Sequence, residues 1–350
     1  MPSSRVFFSA DEDYLGAASQ ELRDLFPDAA IKPEGPDLAS IEAEGLAIAG
    51  IASACRESPV VFVRHLFREV GFIPLTGATT IEAASARAIE TWLRLPVAPA
   101  VTLHVWASGP IGVPFRTDEL WRSLAEQLSK QDIRTSRSGP ALVLSACVIP
   151  EGIVLGLNGV ANALTDWPGG RVRLSRPKGQ ISRSEFKLEE LCRTTDLPLP
   201  ASGTAIDLGA SPGGWTRILR QRGLQVWAID PADLDPRVVS DPGVHHIRTT
   251  AGRFLGETQL EADLIVNDMR MTVELSVSVM RGAMRRLKPE GMIIQTLKIT
   301  PHGALRTVRN ALSALSQDYE IIFARQLHHN RNEVTVVARR SATPPANTRG

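Results

Sequence analysis

Short apolar segments alternate with helical segments throughout the second half of the chain, and this alternation constrains the fold more than any other feature. Seven segments predict strands, at residues 204–208, 225–229, 245–247, 263–266, 292–296, 320–323 and 334–338. Helical periodicity lies between most of them, for example at residues 216–221, 274–287 and 305–316. Such alternation is typical of an α/β domain whose mostly parallel sheet has helices on both faces. The last two strands have no helix between them, so we expect a hairpin and an antiparallel final strand.

The first half of the chain predicts an α+β arrangement without a catalytic-looking cluster. The predicted elements are strands at residues 6–8, 101–106, 141–148 and 153–157, helices at residues 17–25, 79–93 and 117–128, and an extended segment reaching about residue 43. The sequence DWPGG at residues 166–170 then interrupts regular structure. The chain therefore divides near Trp167, and its 350 residues fit about two domains.

Composition excludes several classes of protein. A net charge of +1 excludes a uniformly basic surface, so any contact with nucleic acid must come from local patches. The three cysteines have neither metal nor redox spacing, which favours a reducing compartment. The N-terminal sequence turns acidic after a short apolar run, and no stretch approaches the roughly 18 apolar residues of a membrane span. We expect a cytoplasmic protein without metal or membrane segment, as a monomer or weak dimer.

A glycine-rich turn, DLGASPGGW, follows the first predicted strand of the second half. In sheets of this class, ligands bind at the carboxyl ends of the strands, beside this turn. The candidate cofactor-binding residues here are Asp207, Gly209, Ala210, Ser211, Pro212, Gly213, Gly214 and Trp215. Asp230 ends the second strand about 20 residues further on, where an acid accepts the hydroxyl groups of a ribose.

The spacing of these glycines favours one class of nucleotide. Dinucleotide folds use G-x-G-x-x-G, whose second glycine admits a pyrophosphate. The present turn reads GASPGG, and Pro212 lacks the backbone N–H that a phosphate would bind. The turn therefore favours a ligand without phosphates, of which S-adenosylmethionine is the common example. A nicotinamide dehydrogenase is disfavoured but stays an alternative, as does a tight turn without a ligand.

Four charged residues are predicted to meet at the same edge of the sheet. Parallel strands all end at one edge, and an antiparallel strand begins there. Asp268 follows the strand DLIVN, Lys298 ends the strand MIIQTLK, and Glu333 begins the strand EVTVVARR. Lys187, in the amphipathic segment SRSEFKLEEL, reaches the same edge. Each residue alone is ordinary at a surface. Together they predict a charged pocket mouth beside the glycine turn.

These segments resemble the motifs of the FtsJ-type ribose 2′-O-methyltransferases. The resemblance is carried by SRSEFKLEEL, DLGASPGGW, LIVNDM, QTLKI and RNEVTVVARR. It implies a Rossmann-like, S-adenosylmethionine-dependent domain with a catalytic Lys-Asp-Lys-Glu tetrad at Lys187, Asp268, Lys298 and Glu333. The family tends to place an acidic pair after the third strand, where its second member holds the adenine amino group.

This sequence departs from the family at two places. Thr249-Thr250 replaces the acidic pair, so Thr250 becomes the candidate adenine contact, and we expect this contact to be weaker or to be made by the backbone. Arg270 follows the tetrad aspartate closely and has no assigned role. Neither departure touches the tetrad, and methyl transfer is still expected.

Within the family, WPGG at residues 167–170 and RQLHHNRNEVTVVARR near the end are most similar to enzymes of 23S ribosomal RNA. Those enzymes carry a ferredoxin-like part and a THUMP RNA-binding region before the catalytic domain. The resemblance implies a ferredoxin-like part at residues 1–70, a THUMP-like domain at 71–170, a basic linker at 171–185, a methyltransferase domain at 186–340 and a disordered tail at 341–350. A cytidine of 23S ribosomal RNA is the implied target, with transfer RNA left open.

Two groups of basic residues are candidate RNA contacts. The linker residues Arg171, Arg173, Arg176, Lys178 and Arg183 form a run without an acid. They either track phosphates or simply form a solvated face. His328, His329 and Arg331 either flank the entrance or serve as surface and capping residues.

The residue types of the tetrad predict a mechanism. A ribose hydroxyl becomes nucleophilic only as its proton is removed. We take Lys298 as the general base, and the Lys187 cation and desolvation under RNA favour loss of its proton. Asp268 would orient Lys298 and the hydroxyl, and Glu333 would anchor Lys187.

Other activities fit less well. Amine methyltransferases usually place Asn/Asp-Pro-Pro-aromatic where this chain has Asn267-Asp268-Met269-Arg270, and methylation of base C5 needs a cysteine nucleophile. Cys192 follows the Lys187 segment and is interpreted as a core residue. The alternative from another class is a non-catalytic RNA-binding or ribosome-assembly protein that retains the fold, which would have no need of the tetrad.

Overall fold

The computed structural model describes residues 5–109, 115–176 and 178–341. The chain forms two compact units, Met1–Val172 and Arg173–Gly350. The predicted tail at residues 341–350 lies outside the described residues except for Ser341. None of the helices in the described part of the chain has the length and apolar character needed to cross a membrane.

The first unit is built on a sheet that has eight strands in the described residues. Its elements are β1 (Val6–Ser9), α1 (Leu15–Leu25), β2 (Ala30–Gly35), β3 (Leu38–Glu42), α2 (Ile48–Glu57), β4 (His65–Pro74), α3 (Ile81–Leu93), β5 (Ala100–Ala107), α4 (Thr117–Ser129), β6 (Arg134–Ser136), β7 (Leu142–Ile149) and β8 (Gly152–Gly159). The strand order is β2-β3-β1-β4-β8-β7-β5-β6. The predicted extended segment before residue 43 is a hairpin of β2 and β3, and α2, β4 and β6 were not predicted.

The long strand β4 lies in the middle of this sheet and connects its two halves. Its first residues pair with β1, and its last residues pair with β8. The elements β1 to β4 follow the β-α-β-β-α-β order of the ferredoxin-like motif. The predicted domain boundary at residues 70–71 lies inside β4, so one sheet continues across it. The division into a ferredoxin-like part and a THUMP-like domain stays a prediction.

The second unit contains a sheet with seven strands in the described residues. Its elements are α5 (Glu185–Thr194), β9 (Gly203–Leu208), α6 (Gly214–Gln221), β10 (Leu224–Ile229), α7 (Pro236–Val239), β11 (Val244–Ile247), α8 (Ala251–Glu257), β12 (Ala262–Asn267), α9 (Val273–Ala283), β13 (Leu287–Lys298), α10 (Ala304–Leu315), β14 (Tyr319–Arg325) and β15 (Glu333–Arg340). The strand order is β11-β10-β9-β12-β13-β15-β14. The last strand, β15, runs antiparallel between β13 and β14, as the sequence predicts.

The strand order places the glycine turn and Asp268 side by side. The order runs outward from β9 to β10 and β11 on one side, and from β12 to β13 on the other. The adjacent strands β9 and β12 are parallel, with Leu208 opposite Asn267. Because the chain order reverses between them, a crevice opens beyond their carboxyl ends, where ligands bind in folds of this kind. The turn after β9 and Asp268 after β12 therefore border the same crevice.

Candidate active site

Three strand ends bring three of the four predicted catalytic residues together. Lys298 is the last residue of β13, and Glu333 is the first residue of β15. The antiparallel register of these strands pairs Lys298 directly with Glu333. Asp268 follows β12, the other neighbour of β13. Lys187 comes from the first turn of α5.

The four side chains form a closed ring of alternating charge, which we call the charged quartet (Lys187, Asp268, Lys298 and Glu333). The Lys187 Nζ lies 2.9 Å from Asp268 Oδ1 and 2.6 Å from Glu333 Oε2. The Lys298 Nζ lies 2.6 Å from Asp268 Oδ1 and 2.8 Å from Glu333 Oε1. Two ammonium and two carboxylate groups sum to no net charge. The side chains are between 13 and 19 % exposed, so the quartet is largely screened from water yet reachable at its mouth.

Thr296 is a fifth member of this network that the sequence analysis missed. Its hydroxyl donates to Asp268 Oδ1 at 2.6 Å and accepts from Lys298 Nζ at 2.8 Å. The residue is 1 % exposed. A signal was present in the sequence, because residues two apart on a strand point to the same face. Thr296 thus holds the Lys298 ammonium and the Asp268 carboxylate in a fixed relation.

Neighbouring charges keep two members of the quartet ionised. Burial alone would raise the pKa of Asp268, but Lys298 and Lys187 outweigh it and hold that pKa below its usual value. Burial alone would lower the pKa of Lys187, but Asp268 and Glu333 raise it above its usual value. Lys187 is therefore a permanent cation at neutral pH.

The glycine turn helps to position α5, which carries Lys187. Trp215 is buried, and its indole N–H donates to the Ser184 carbonyl at 2.8 Å. A Cβ at Gly214 would lie 2.2 Å from the Ser182 hydroxyl oxygen, so any larger residue there would have to displace the Ser182 side chain. The fully buried Glu185 pairs with Arg217 at 2.6 Å. Trp215 and Gly214 therefore have a structural role beside the predicted cofactor contact, which stays a prediction.

The far end of α5 is fixed by the two histidines. Glu190, which is buried, accepts the backbone N–H groups of His328 and His329 at 2.8 and 2.9 Å. It also lies 2.6 Å from the His329 Nδ1. The His329 ring stacks on Phe186, with 5.1 Å between the ring centroids. These contacts join the helix of Lys187 to the β14–β15 connection, and a role at an RNA entrance stays a prediction.

Two glycines of the turn adopt the left-handed backbone conformation and leave room for neighbouring side chains. Gly209 has φ +75° and Gly213 has φ +108°, conformations that favour glycine. A Cβ at Gly209 would lie 2.2 Å from the Met269 Cγ, and a Cβ at Gly213 would lie 3.0 Å from Val238. The absence of side chains therefore permits close packing of the turn against the protein. Approach to a ligand stays a prediction.

Three carboxylates lie at the ends of the neighbouring strands β10, β9 and β12. Asp207 is 2 % exposed and accepts the Thr216 hydroxyl at 2.6 Å. Burial, together with Asp268 and Asp230, raises its pKa to about 7. The two oxygens of Asp230 accept the backbone N–H groups of Ser211 and Ala232. Lys187 and Lys298 offset the charge of Asp268, so the negative charge here comes from Asp230 and, above about pH 7, from Asp207. Such charge favours a cationic ligand and opposes a pyrophosphate.

Of the remaining predicted residues, Ala210 is buried, whereas Thr250 and four of the five basic linker residues are exposed. Thr250 is exposed and caps α8 by accepting the Arg253 backbone N–H. Of the basic linker residues, Arg171 pairs with Asp37 inside the first unit. The other four are exposed: Arg173, Arg176, Lys178 and Arg183. In the described ranges no group of three or more His, Cys, Asp or Glu side chains is arranged to hold a metal ion.

The strand order and the quartet define a Rossmann-like methyltransferase domain. Residues 180–329 match the family model of the FtsJ-like methyltransferases. The resemblance in the sequence motifs is thereby confirmed. Members of this class take their methyl group from S-adenosylmethionine.

Named relatives match about half of the chain. The chain is 43 % identical over 183 residues to the "Ribosomal RNA large subunit methyltransferase M" of Halorhodospira halophila, covering 51 % of this chain and 52 % of the relative. The protein of that name from Alkalilimnicola ehrlichii is 34 % identical over 194 residues, covering 53 % of this chain and 52 % of the relative. The chain thus spans about half the length of the curated relatives it matches.

A solved structure, TrmN from Thermus thermophilus, aligns with 96 % of this chain and 100 % of its own. It is 17 % identical, with a TM-score of 0.40. The fold assignment therefore rests on the strand order and the family match.

Proposed function

We propose that the chain is an S-adenosylmethionine-dependent RNA ribose 2′-O-methyltransferase that acts on a cytidine of 23S ribosomal RNA. The observation that carries the proposal is the charged quartet, because two lysines and two carboxylates meet at the edge where a methyl donor would bind. The names of the relatives support an RNA of the large ribosomal subunit. A non-catalytic RNA-binding protein would have no need of this arrangement.

The cofactor site fits a sulfonium compound better than a dinucleotide. S-adenosylmethionine, when bound, supplies an electrophilic methyl group on a positively charged sulfur. Asp230, joined above about pH 7 by Asp207, would provide negative potential at the turn, which suits that cation. The pyrophosphate of a nicotinamide dinucleotide would meet the same acids and would find no N–H at Pro212.

Several of the predicted cofactor residues have a proposed part in that site. Asp230 would accept the ribose hydroxyls, since each of its oxygens keeps a second lone pair. The backbone of residues 209–211 would border the methionine part, and Thr250 would lie at the adenine. Asp207 would supply negative charge from below the turn.

Lys298 is the proposed general base. Asp268 and Glu333 contact both lysines, so the ion pairs by themselves do not separate the two roles. We assign the base to Lys298 and the neighbouring cation to Lys187, whose pKa its carboxylate partners raise. The neutral amine of Lys298 would take the proton of the ribose 2′-hydroxyl as the oxygen attacks the methyl carbon, and would later release it to solvent. The new bond joins that oxygen to the methyl carbon, and the electron pair of the broken bond stays on sulfur.

The other members of the network orient the reacting groups. Asp268 bridges both lysines and Thr296, so it would fix the Nζ of Lys298 against the hydroxyl. Glu333 would keep Lys187 in place from the other side. Alignment of oxygen, carbon and sulfur would supply most of the acceleration, as effective molarity does in intramolecular reactions.

RNA binding is proposed for the first unit and for the linker. Arg173, Arg176, Lys178 and Arg183 are exposed and lie just before α5. Their charges are placed to contact phosphates, and we expect RNA affinity to fall with salt. The THUMP-like region would select the RNA by shape.

The experiment that tests the function is methyl transfer to unmodified RNA. Purified protein is incubated with methyl-labelled S-adenosylmethionine and ribosomal RNA transcribed in vitro, and the RNA is then hydrolysed in alkali. A 2′-O-methyl group leaves one alkali-resistant linkage, which maps to a cytidine if the proposal is right. Label in alkali-sensitive nucleotides would indicate base methylation. Label in transfer RNA alone would identify transfer RNA as the substrate.

A further inference from the structure

The first unit contains an open pocket of about 860 Å³. It lies wholly within the first unit, so it is separate from the charged quartet. The residues that matter for its chemistry are Ala47, Ile48, Arg68, Leu95, Leu157 and Asn158. Its volume lies within the roughly 300–1,000 Å³ range of pockets that take small organic ligands.

One wall of the pocket is the N-terminus of α2. The helix has ten residues, and its N-cap is Ala47, which provides no side-chain hydrogen bond to the first turn. The first backbone N–H groups of a helix need partners from outside it and carry partial positive charge. Ala47 and Ile48 line the pocket, so these N–H groups border it.

Arg68 lines the same pocket from β4. Its side chain is half-buried, and among the residues that the structure describes it has no carboxylate partner. The adjacent Glu69 also lines the pocket; it shares Arg5, at 3.5 Å, with Glu34 and Glu42, and burial raises its pKa. An unpaired arginine beside an uncapped helix N-terminus is suited to a phosphate group.

Asn158 supplies an independent sign of a ligand. It is 5 % exposed, and its Oδ1 is buried without a hydrogen-bond partner in the described residues, while its Nδ2 donates to the Gly159 carbonyl at 3.1 Å. A buried acceptor left without a partner is costly and calls for an explanation. A sugar hydroxyl or a base amino group would satisfy it. The nearby side chains of Leu95 and Leu157 offer an apolar surface on which a base can pack.

We infer that this pocket binds one nucleotide of the substrate RNA, with its phosphate at the N-terminus of α2 and Arg68 and its sugar or base at Asn158. The inference rests on the proposed function for the identity of the ligand. If this pocket binds a nucleotide, the first unit recognises the RNA through a defined contact as well as through its overall shape.

Substitutions at Ala47 separate binding from folding. Ala47→Asp and Ala47→Asn both provide a cap, so both are expected to raise the melting temperature of the protein. Only the aspartate puts a negative charge where the phosphate would lie. We expect Ala47→Asp to bind labelled ribosomal RNA transcript about tenfold more weakly than Ala47→Asn, by fluorescence anisotropy at low salt. Equal affinities of these two variants would overturn the inference.

Arg68→Gln is compared with Arg87→Gln, which removes an exposed arginine of α3 in the same unit. Loss of a phosphate contact lowers the slope of log affinity against log salt by about 0.7–0.9. We expect that change for Arg68→Gln alone, and equal effects of both variants would overturn the inference.

A second titration uses free nucleoside monophosphates. Binding that depends on Arg68, with RNA affinity independent of it, would assign the pocket to a free nucleotide and also overturn the inference. If the wild-type protein neither binds nor methylates RNA, the proposed function fails. If it methylates RNA while Ala47→Asp and Arg68→Gln bind like wild type, only the pocket assignment fails.

Discussion

Replacement of Asp207 by asparagine removes a carboxylate whose ionisation opposes folding. Burial and the neighbouring acids raise its pKa from 3.8 to about 7. Between those values the unfolded chain has lost the proton while the folded protein retains it. The unfolded state therefore binds fewer protons, and the free energy of unfolding falls as pH rises through this window. Above about pH 7 the folded carboxyl is ionised as well, and the loss levels off.

The size of the effect follows from the shift. A difference of about three pKa units at 1.36 kcal/mol each gives about 4 kcal/mol of lost stability at about pH 8. At about pH 5 the loss is about 2 kcal/mol, because only part of the window has been crossed. Asparagine keeps an oxygen to accept the Thr216 hydroxyl and carries no charge. We expect Asp207→Asn to gain about 2 kcal/mol relative to wild type between these two pH values.

Hydrogen exchange of the β9 amides measures this gain, with variant and wild type compared at the same pH. Asp263→Asn is the matched control, because backbone and Lys288 contacts lower the pKa of Asp263 despite its desolvation. The Asp263→Asn variant is therefore expected to lose stability relative to wild type as pH rises, and to gain none at high pH. A stability difference between Asp207→Asn and wild type that does not change with pH would refute the reasoning.

Three further predictions concern the site. Thr296→Val is expected to lower turnover about 10- to 100-fold with unchanged cofactor affinity, because Asp268 and Lys298 lose a shared hydrogen-bond partner. Thr296→Ser keeps the hydroxyl and is expected to retain turnover. Equal turnover of the Val and Ser variants would contradict this role of Thr296. Lys187→Met leaves two carboxylates around one lysine, and we expect turnover to fall at least about tenfold while the fold, read by circular dichroism, persists. S-adenosylmethionine is expected to raise the melting temperature and NAD to leave it unchanged; the reverse would point to a dehydrogenase.

Much of the second unit was predictable because its pattern is local. Each strand of the sheet is a short apolar run bounded by helical periodicity, and parallel strands share a carboxyl edge. Asp268, Lys298 and Glu333 therefore converge whatever the details of packing. Lys187 was placed by its segment and by family resemblance, since the direction in which α5 points depends on Trp215 and His328, which are distant in sequence.

The parts that sequence reasoning missed depend on distant partners or interrupted patterns. The strand β4 reads HLFREVGFIP, where charged residues and Gly71 break the alternation of a half-buried strand. The turn after β9 was interpreted as a cradle for a ligand. Its glycine at 209 also accommodates Met269, which lies 60 residues away in sequence and comes close only through the pairing of β9 with β12.

The central claim is that the charged quartet removes the proton of a ribose hydroxyl. Its most direct test is single-turnover methyl transfer by Lys298→Met beside Lys288→Met, which removes a lysine at the opposite end of β13. We predict that Lys298→Met binds S-adenosylmethionine and RNA like wild type yet transfers methyl groups at least about 100-fold more slowly, whereas Lys288→Met retains the wild-type rate. Near-normal transfer by Lys298→Met with cofactor and RNA bound would contradict the account.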